Sequence, residues 1–232
     1  IGLRTWRAGS KDLPAPSGEG RALNRLNILA VPVPKTRYLW HDLIAEAELR
    51  ITVAVDVGGE PVPVSLIFTH HDSDEIVYCQ PTAETLANAG AAEAGAKLNV
   101  SLLYPMSGIS TDEAVILPKR VEYLMGMGNT AEVLRNSCLQ LHEKSEADWR
   151  SVAQLMHRLF LANLRPPVIN ENGAVDLIYE QEGTEGAMDL SLSGRGFQQM
   201  LLLFTHLYLH KGGVILMDEP DAHLEMLRQR QV

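Results

Sequence analysis

The sequence predicts an α/β fold, on three observations. Leu49–Val57 alternates, with Leu49, Ile51, Val53, Val55 and Val57 on one face. Trp149, Val152, Leu155, Met156, Leu159 and Phe160 fall on one helical stripe. Val214–Met217 is an unbroken apolar run followed at once by Asp218 and Glu219. Alternation marks a half-buried strand and a 3.6-residue period marks an amphipathic helix. A short, wholly apolar run marks a strand covered on both faces, as parallel strands are.

The bulk properties narrow the class. A chain of 232 residues, 46% hydrophobic, suffices for one large domain or two small ones, and its core needs neither disulfides nor a structural metal. A net charge of −9 disfavours generic binding to nucleic acid or anionic membranes. Residues 1–37 run against that balance, with seven Lys/Arg facing Asp12 and Glu19, and read as a solvated loop, with contact to nucleic acid as the alternative. Cys79 and Cys138 form no CxxC pair, which fits a reducing, cytoplasmic setting without a zinc site. No run of 18 apolar residues and no signal pattern occurs, so no membrane partner is expected. The chain starts at Ile1 without Met and stops at Val232 inside a helical pattern, so both ends read as cut from a longer protein.

In chain order, residues 9–20 form a Gly/Pro/Ser-rich loop. Strands at 49–57, 62–69 and 75–79 make an antiparallel meander, turning at Gly58-Gly59 and at His71-Asp72-Ser73-Asp74. Residues 83–96 favour one helix, and 98–104 a buried strand closed by Pro105. From 110 to 164 the period is helical, with Ser110-x-x-Glu113 as a capping box, Ser145-x-x-Asp148 as a second start, and Pro166-Pro167 as the stop. Residues 174–181 return to strand.

The chemistry concentrates in residues 191–232. Ser193-Gly194-Arg195-Gly196 precedes an apolar helix at about 197–210, so Ser193 is the expected N-cap. A helix N-terminus with a small hydroxyl and no bulky side chain offers free N–H groups to a phosphate. At the end of the apolar strand, the adjacent acids Asp218 and Glu219 suit a division of labour, one holding Mg²⁺ and the other polarising an attacking water, or else form an exposed turn.

Together, LSGRG, one helix and then an apolar strand ending in DEP resemble the second half of an ABC-type ATPase head. In that family a signature loop, a helix and the Walker B strand follow one another. The tail DEPDAHLE with SGRGFQQ is more similar to the SMC, RecF and overcoming-lysogenization-defect (OLD) class of AAA ATPases than to transporter subunits. The resemblance implies a P-loop NTPase fold, ABC-ATPase-like, with an antiparallel β lobe and a helical insertion. Its parts would be a β-rich lobe at 1–105, a helical subdomain at 106–168 and a signature-helix and Walker B lobe at 169–232.

It also implies roles. Asp218 is the magnesium acid and Glu219 the catalytic base. Ser193, Gly194 and Gly196 contact the γ-phosphate of ATP held by a second copy, and Asp221, Ala222 and His223 occupy the D-loop at the interface. The implied function is Mg²⁺-dependent ATP binding and hydrolysis in a head-to-tail dimer. That dimer would serve DNA maintenance or phage defence, with DNA and a nuclease or toxin effector as implied partners. The competing reading is a non-hydrolysing ATP-dependent sensor or scaffold.

The match departs at Arg195 and Gly196, and no GxxxxGK[ST] occurs in the chain. A switch histidine is also missing, since His223 lies too close to Asp218. On this reading both elements belong beyond the ends, and these residues alone should not hydrolyse ATP. Pro105-Met106-Ser107-Gly108 reads as a hinge at the family's Q-loop junction. Gln198 and Gln199, which can reach toward nucleotide, read as helix surface. Arg135-Asn136 and the series Arg150, Arg158 and Arg165 read as solvated or interface faces, and Cys138 as a small buried hydrophobe. His70-His71-Asp72 with Cys79 matches no ligand spacing and reads as a hairpin tip.

Overall fold

A computed structural model describes residues 20–25, 28, 33–44, 47–71, 73–106 and 108–217, which form a mixed α/β fold. The chain divides into two compact units, Ile1–Leu98 and Asn99–Val232. The loop read at 9–19, Asp72, Ser107 and everything from Asp218 onward lie outside the described residues.

The first unit is built on an antiparallel sheet of β1 (Arg21–Asn24), β2 (Leu49–Val57), β3 (Glu60–Thr69) and β4 (Ile76–Pro81), in the order β1-β4-β3-β2. The expected meander is therefore present. Gly58 and Gly59 both take positive φ, 69° and 94°, as a two-residue hairpin turn requires. Two helices follow, α1 (Ala83–Ala87) and α2 (Ala89–Lys97), where the composition predicts one. Asn88 divides them, because its side chain leaves the helix to accept the Ala91 N–H at 2.9 Å. Val55, Val64 and Ala91 form one small core, and Leu23, Trp40, Val77 and Cys79 another. The apolar face of β2 is only partly covered, with Ile51 49% and Val53 38% exposed. Lys35 and Arg37, from the basic stretch, pair with Asp74.

The second unit opens with β5 (Val100–Leu103). Three helices follow: α3 (Pro118–Gly126), α4 (Leu134–Lys144) and α5 (Glu146–Phe160). Then come β6 (Ala162–Leu164), β7 (Val168–Ile169), β8 (Val175–Asp176), β9 (Ile178–Gln181) and β10 (Ala187–Asp189). The unit closes with α6 (Arg195–Leu209) and β11 (Val214–Met217). Strands β10-β9-β6 form an antiparallel sheet, β7-β8 a hairpin and β11-β5 a parallel pair.

Ser145 caps α5 as its spacing predicts, accepting the Asp148 N–H at 3.2 Å. Trp149, Val152, Met156 and Phe160 are buried along the expected stripe. The helical reading to residue 164 is corrected at both ends. Residues 110–117 are not helical, and α3 begins at Pro118. Helix α5 ends where Leu161 turns left-handed at φ 54°, before either proline, and the chain enters β6. Helices α4, α5 and α6 share a core that includes Cys138, Leu141, Val152, Met156, Leu201 and Leu202, each fully buried. Burial pushes the Cys138 thiol up to about 12, consistent with a packed, unreactive side chain.

Helix α6 crosses over to bring β11 alongside β5, in register from Val214↔Val100 to Met217↔Leu103. The return is tight. A Cβ on Gly213 would stand 2.8 Å from the Asn99 carbonyl oxygen, which also accepts the Val214 N–H. The all-apolar β11 is not covered on both faces: Val214, Leu216 and Met217 are 42%, 53% and 42% exposed. Among the described residues β5 is its sole strand neighbour, and an open groove of about 660 Å³ runs along it past Leu159, Leu203 and Leu207. Among the described residues no helix is long and apolar enough to cross a membrane.

His206, 4% exposed, ties α6 to β5 through a 2.9 Å hydrogen bond with Ser101 Oγ. Burial, with His210 beside it, lowers His206 to about 4. An unfolded histidine titrates near 6.5. The unfolded chain therefore holds the extra proton between these values. The His206 contribution to stability is complete above about pH 6.5 and declines as the pH falls toward about 4. Thermal unfolding of wild type and His206→Gln between pH 7.5 and 4 should show a shallower decline in the variant; identical slopes would contradict the assignment.

Candidate functional site

The segment between β10 and α6 holds the predicted loop. Asp189 ends β10 and caps the 3-10 turn Leu190–Leu192, its Oδ1 accepting the Ser191 N–H at 2.9 Å. The Leu190 carbonyl then gathers three donors. These are the Ser193 N–H at 3.0 Å, the Ser193 hydroxyl at 2.6 Å and Gln198 Nε2 at 3.4 Å. Gln198 also donates to the Ser193 carbonyl at 3.1 Å. The loop is thus folded back onto its own carbonyls.

Two readings are corrected here. Ser193 is not the N-cap of α6, because its hydroxyl donates to Leu190 behind it. The cap is Gly194, with extended backbone and no side-chain hydrogen bond. Gln198 and Gln199 are not surface residues, being 4% and 5% exposed. Gln198 steadies the loop, and Gln199 Oε1 accepts the Met106 N–H at 2.8 Å within the stretch read as a hinge. A side chain of the type missing from 105–108 therefore reaches that stretch from α6.

The first turn of α6 keeps an unusual chemistry. Gly194 is exposed, its φ is −67°, and a Cβ added there would meet nothing within 4 Å. Neither backbone geometry nor packing demands glycine, so what it leaves is access to the first N–H groups. No acid stands in that turn, and Arg195 is exposed at its first position, a placement the helix dipole disfavours. Gly196 is half-buried in the same turn. Donors and a cation with no acid in the same turn form a set suited to an anion.

Behind the loop lies a polar cluster that sequence reasoning missed. Arg135 and Asn136, read as solvated, are each 1% exposed at the start of α4. The Arg135 guanidinium grips Asp189 with both arms, Nη1 to Oδ2 at 2.9 Å and Nη2 to Oδ1 at 2.7 Å. Partial burial alone would raise the Asp189 carboxyl; the Arg135 and Ser191 hydrogen bonds overcome it and hold the group at about 2.

Glu113, 6% exposed, faces the backbone of the same helix. Its carboxylate accepts the Arg135 N–H at 3.0 Å, the Asn136 N–H at 2.7 Å and Asn136 Nδ2 at 2.7 Å. Burial raises its pKa, and these donors pull it back. Glu113 does cap a helix, but α4, 22 residues on, and not one of its own; Ser110 instead bonds within the turn at Asp112. The one local signal of the cluster is Asp189-Leu190-Ser191, an acid placed to accept the N–H two residues on.

Arg165 pairs with Glu180 and Arg150 lies 4.0 Å from Glu146, both on exposed faces, while Arg158 lines the groove beside β11. Asp218, Glu219, Asp221, Ala222 and His223 lie outside the described residues; β11 ends at Met217, immediately before the acid pair. Comparison with protein-family models, curated proteins and solved structures finds no match to this chain.

Removing the Glu113 carboxylate strands three buried donors, each costing about 1–3 kcal/mol. Glu113→Ala should therefore lower stability by at least about 2 kcal/mol in urea unfolding. A change within about 0.5 kcal/mol, the usual range of a surface substitution, would contradict the capping role.

Proposed function

We propose that this chain carries the signature-loop and Walker B half of an ATP-hydrolysing head of the ABC type, similar to the SMC, RecF and OLD class. The observation that carries the reading is the pairing of features at the two ends of one buried helix. At its start stand a bare glycine cap, open N–H groups and Arg195. At its far end, one turn later, a parallel strand runs directly into Asp218-Glu219. Both are the chemistry a nucleoside triphosphate requires, and packing does not explain the bare glycine at the helix start.

In this reading the first-turn N–H groups of α6, through Gly194 and Gly196, donate to the γ-phosphate oxygens of ATP bound to a second copy. Ser193 adds its hydroxyl by exchanging the Leu190 carbonyl for a phosphate oxygen. Asp218, an oxygen donor of the kind Mg²⁺ takes, would hold the metal, which would supply charge neutralisation to the bound nucleotide. Glu219 orients a water and takes its proton as the oxygen attacks the γ-phosphorus and the bond to the ADP oxygen breaks. Asp221, Ala222 and His223 follow at the interface between copies. Closing and opening of the head-to-tail dimer then drives a partner activity in DNA maintenance or phage defence.

The test is steady-state ATP hydrolysis by the full-length protein and by Glu219→Gln. Wild type should turn over Mg²⁺-ATP, and the variant should fall by about 100-fold or more while retaining ATP-dependent association. Equal rates near zero, with association intact, would replace this reading with a non-hydrolysing sensor or scaffold.

A further inference from the structure

Resting on that reading, we propose that Arg135 is the positioning residue of the phosphate-binding loop. It holds the turn Asp189–Ser193 in the shape that presents the α6 N-terminus to a nucleotide on a second copy of this chain.

Arg135 is fixed at both of its own ends. Its backbone N–H is held by the buried Glu113 carboxylate, and its guanidinium by the Asp189 fork. Asp189 passes that constraint directly to the Ser191 N–H, and the next residue, Leu190, is anchored by its N–H to the Leu177 carbonyl. Leu190 in turn receives both Ser193 donors. Three side chains thus connect the root of α4 to the loop: Glu113, Arg135 and Asp189. Nothing in this chain of contacts involves Gly194 or Arg195, which stay exposed.

Packing does not explain why an arginine occupies the position. Its side chain is 1% exposed, and its Nε–H has no acceptor among the described residues. Replacing Arg135 and Asp189 together by apolar side chains would fill the space without an orphaned donor, and such paired replacements are often neutral or stabilising. What an apolar residue or a lysine cannot supply is the planar two-armed grip, which fixes the direction of the Asp189 carboxylate as well as its place. Both Asp189 oxygens are gripped, and Oδ1 accepts the Ser191 N–H as well as Arg135 Nη2, so the orientation of the fork decides the shape of the turn.

The experiment uses the full-length protein as wild type, Arg135→Lys and Arg135→Met, with three readouts. Nucleotide affinity of the isolated copy is read with a fluorescent ATP analogue, ATP-dependent self-association by sedimentation, and amide hydrogen exchange along 188–196 and along α5. In both variants, exchange at Ser191 and Ser193 should quicken by about tenfold or more, with α5 unchanged. Self-association should weaken about tenfold or more, while each copy binds nucleotide as before. A general loss of packing would instead speed exchange in α5 and weaken a copy's own nucleotide binding, and that pattern overturns the proposal. So does unchanged exchange at Ser191 and Ser193 in both variants. If wild type itself does not associate with ATP, the ATPase-head reading fails on its own, and the exchange data still decide whether Arg135 orders the loop.

Discussion

Helix α6 is buried along Phe197–Leu203 and again at Thr205 and His206, and its polar side chains point at fixed partners outside the helix. Gln198 reaches back to the loop that precedes it, Gln199 takes the Met106 N–H, and His206 meets Ser101 on β5. A polar group buried without a partner is costly, so each of these contacts restricts where the helix can sit. Apolar burial supplies the affinity of α6 for its core, and the three polar contacts fix its rotation and its height. The loop at one end and β11 at the other inherit that placement. The functional proposal depends on it, because a phosphate site and an acidic strand end can cooperate only if the element between them does not slide.

The buried charges around Arg135 obey the same logic at higher stakes. A paired charge withdrawn from water returns little net stability, but removing one partner leaves the other stranded. Glu113 meets only donors, and Arg135 meets a carboxylate with two arms, so the cluster is nearly complete within itself. Asp189 is the member closest to solvent, with 38% of its side chain exposed, and it is the one joined to the loop. A rigid interior thereby ends in an accessible edge. Binding sites are commonly built this way, with the ligand-facing groups locked in place by packing and hydrogen bonds behind them.

Local periodicity explains what was legible in the sequence. The meander of β2 to β4, the Ser145 cap, the stripe of α5, and the succession of loop, α6 and β11 all follow from patterns within a few residues. The polar interior did not. Arg135 and Asn136 read as surface because their partners, Glu113 and Asp189, stand 22 and 54 residues from Arg135. Gln199 read as surface because Met106 is 93 residues away. No helical period distinguishes a charged residue facing water from one facing a buried carboxylate. Ser193 shows the complementary error: the local rule for a cap was satisfied by type, but the hydroxyl found the Leu190 carbonyl at closer quarters. Burial of β11 was overestimated for a related reason, since an apolar run states a preference for cover without stating what provides it.

In the proposed mechanism one nucleotide site is assembled from two copies, with the α6 loop contributed by one and Glu219 by the other. Mixing two disabled full-length variants measures this directly. Ser193→Arg blocks the loop and keeps Glu219, while Glu219→Gln keeps the loop and lacks the base. Each alone should be inactive, yet the mixture should regain ATP hydrolysis, because a mixed pair contains one site with both parts intact. A mixture as inactive as its components, with both proteins still binding ATP and still associating, would contradict assembly of the site across copies.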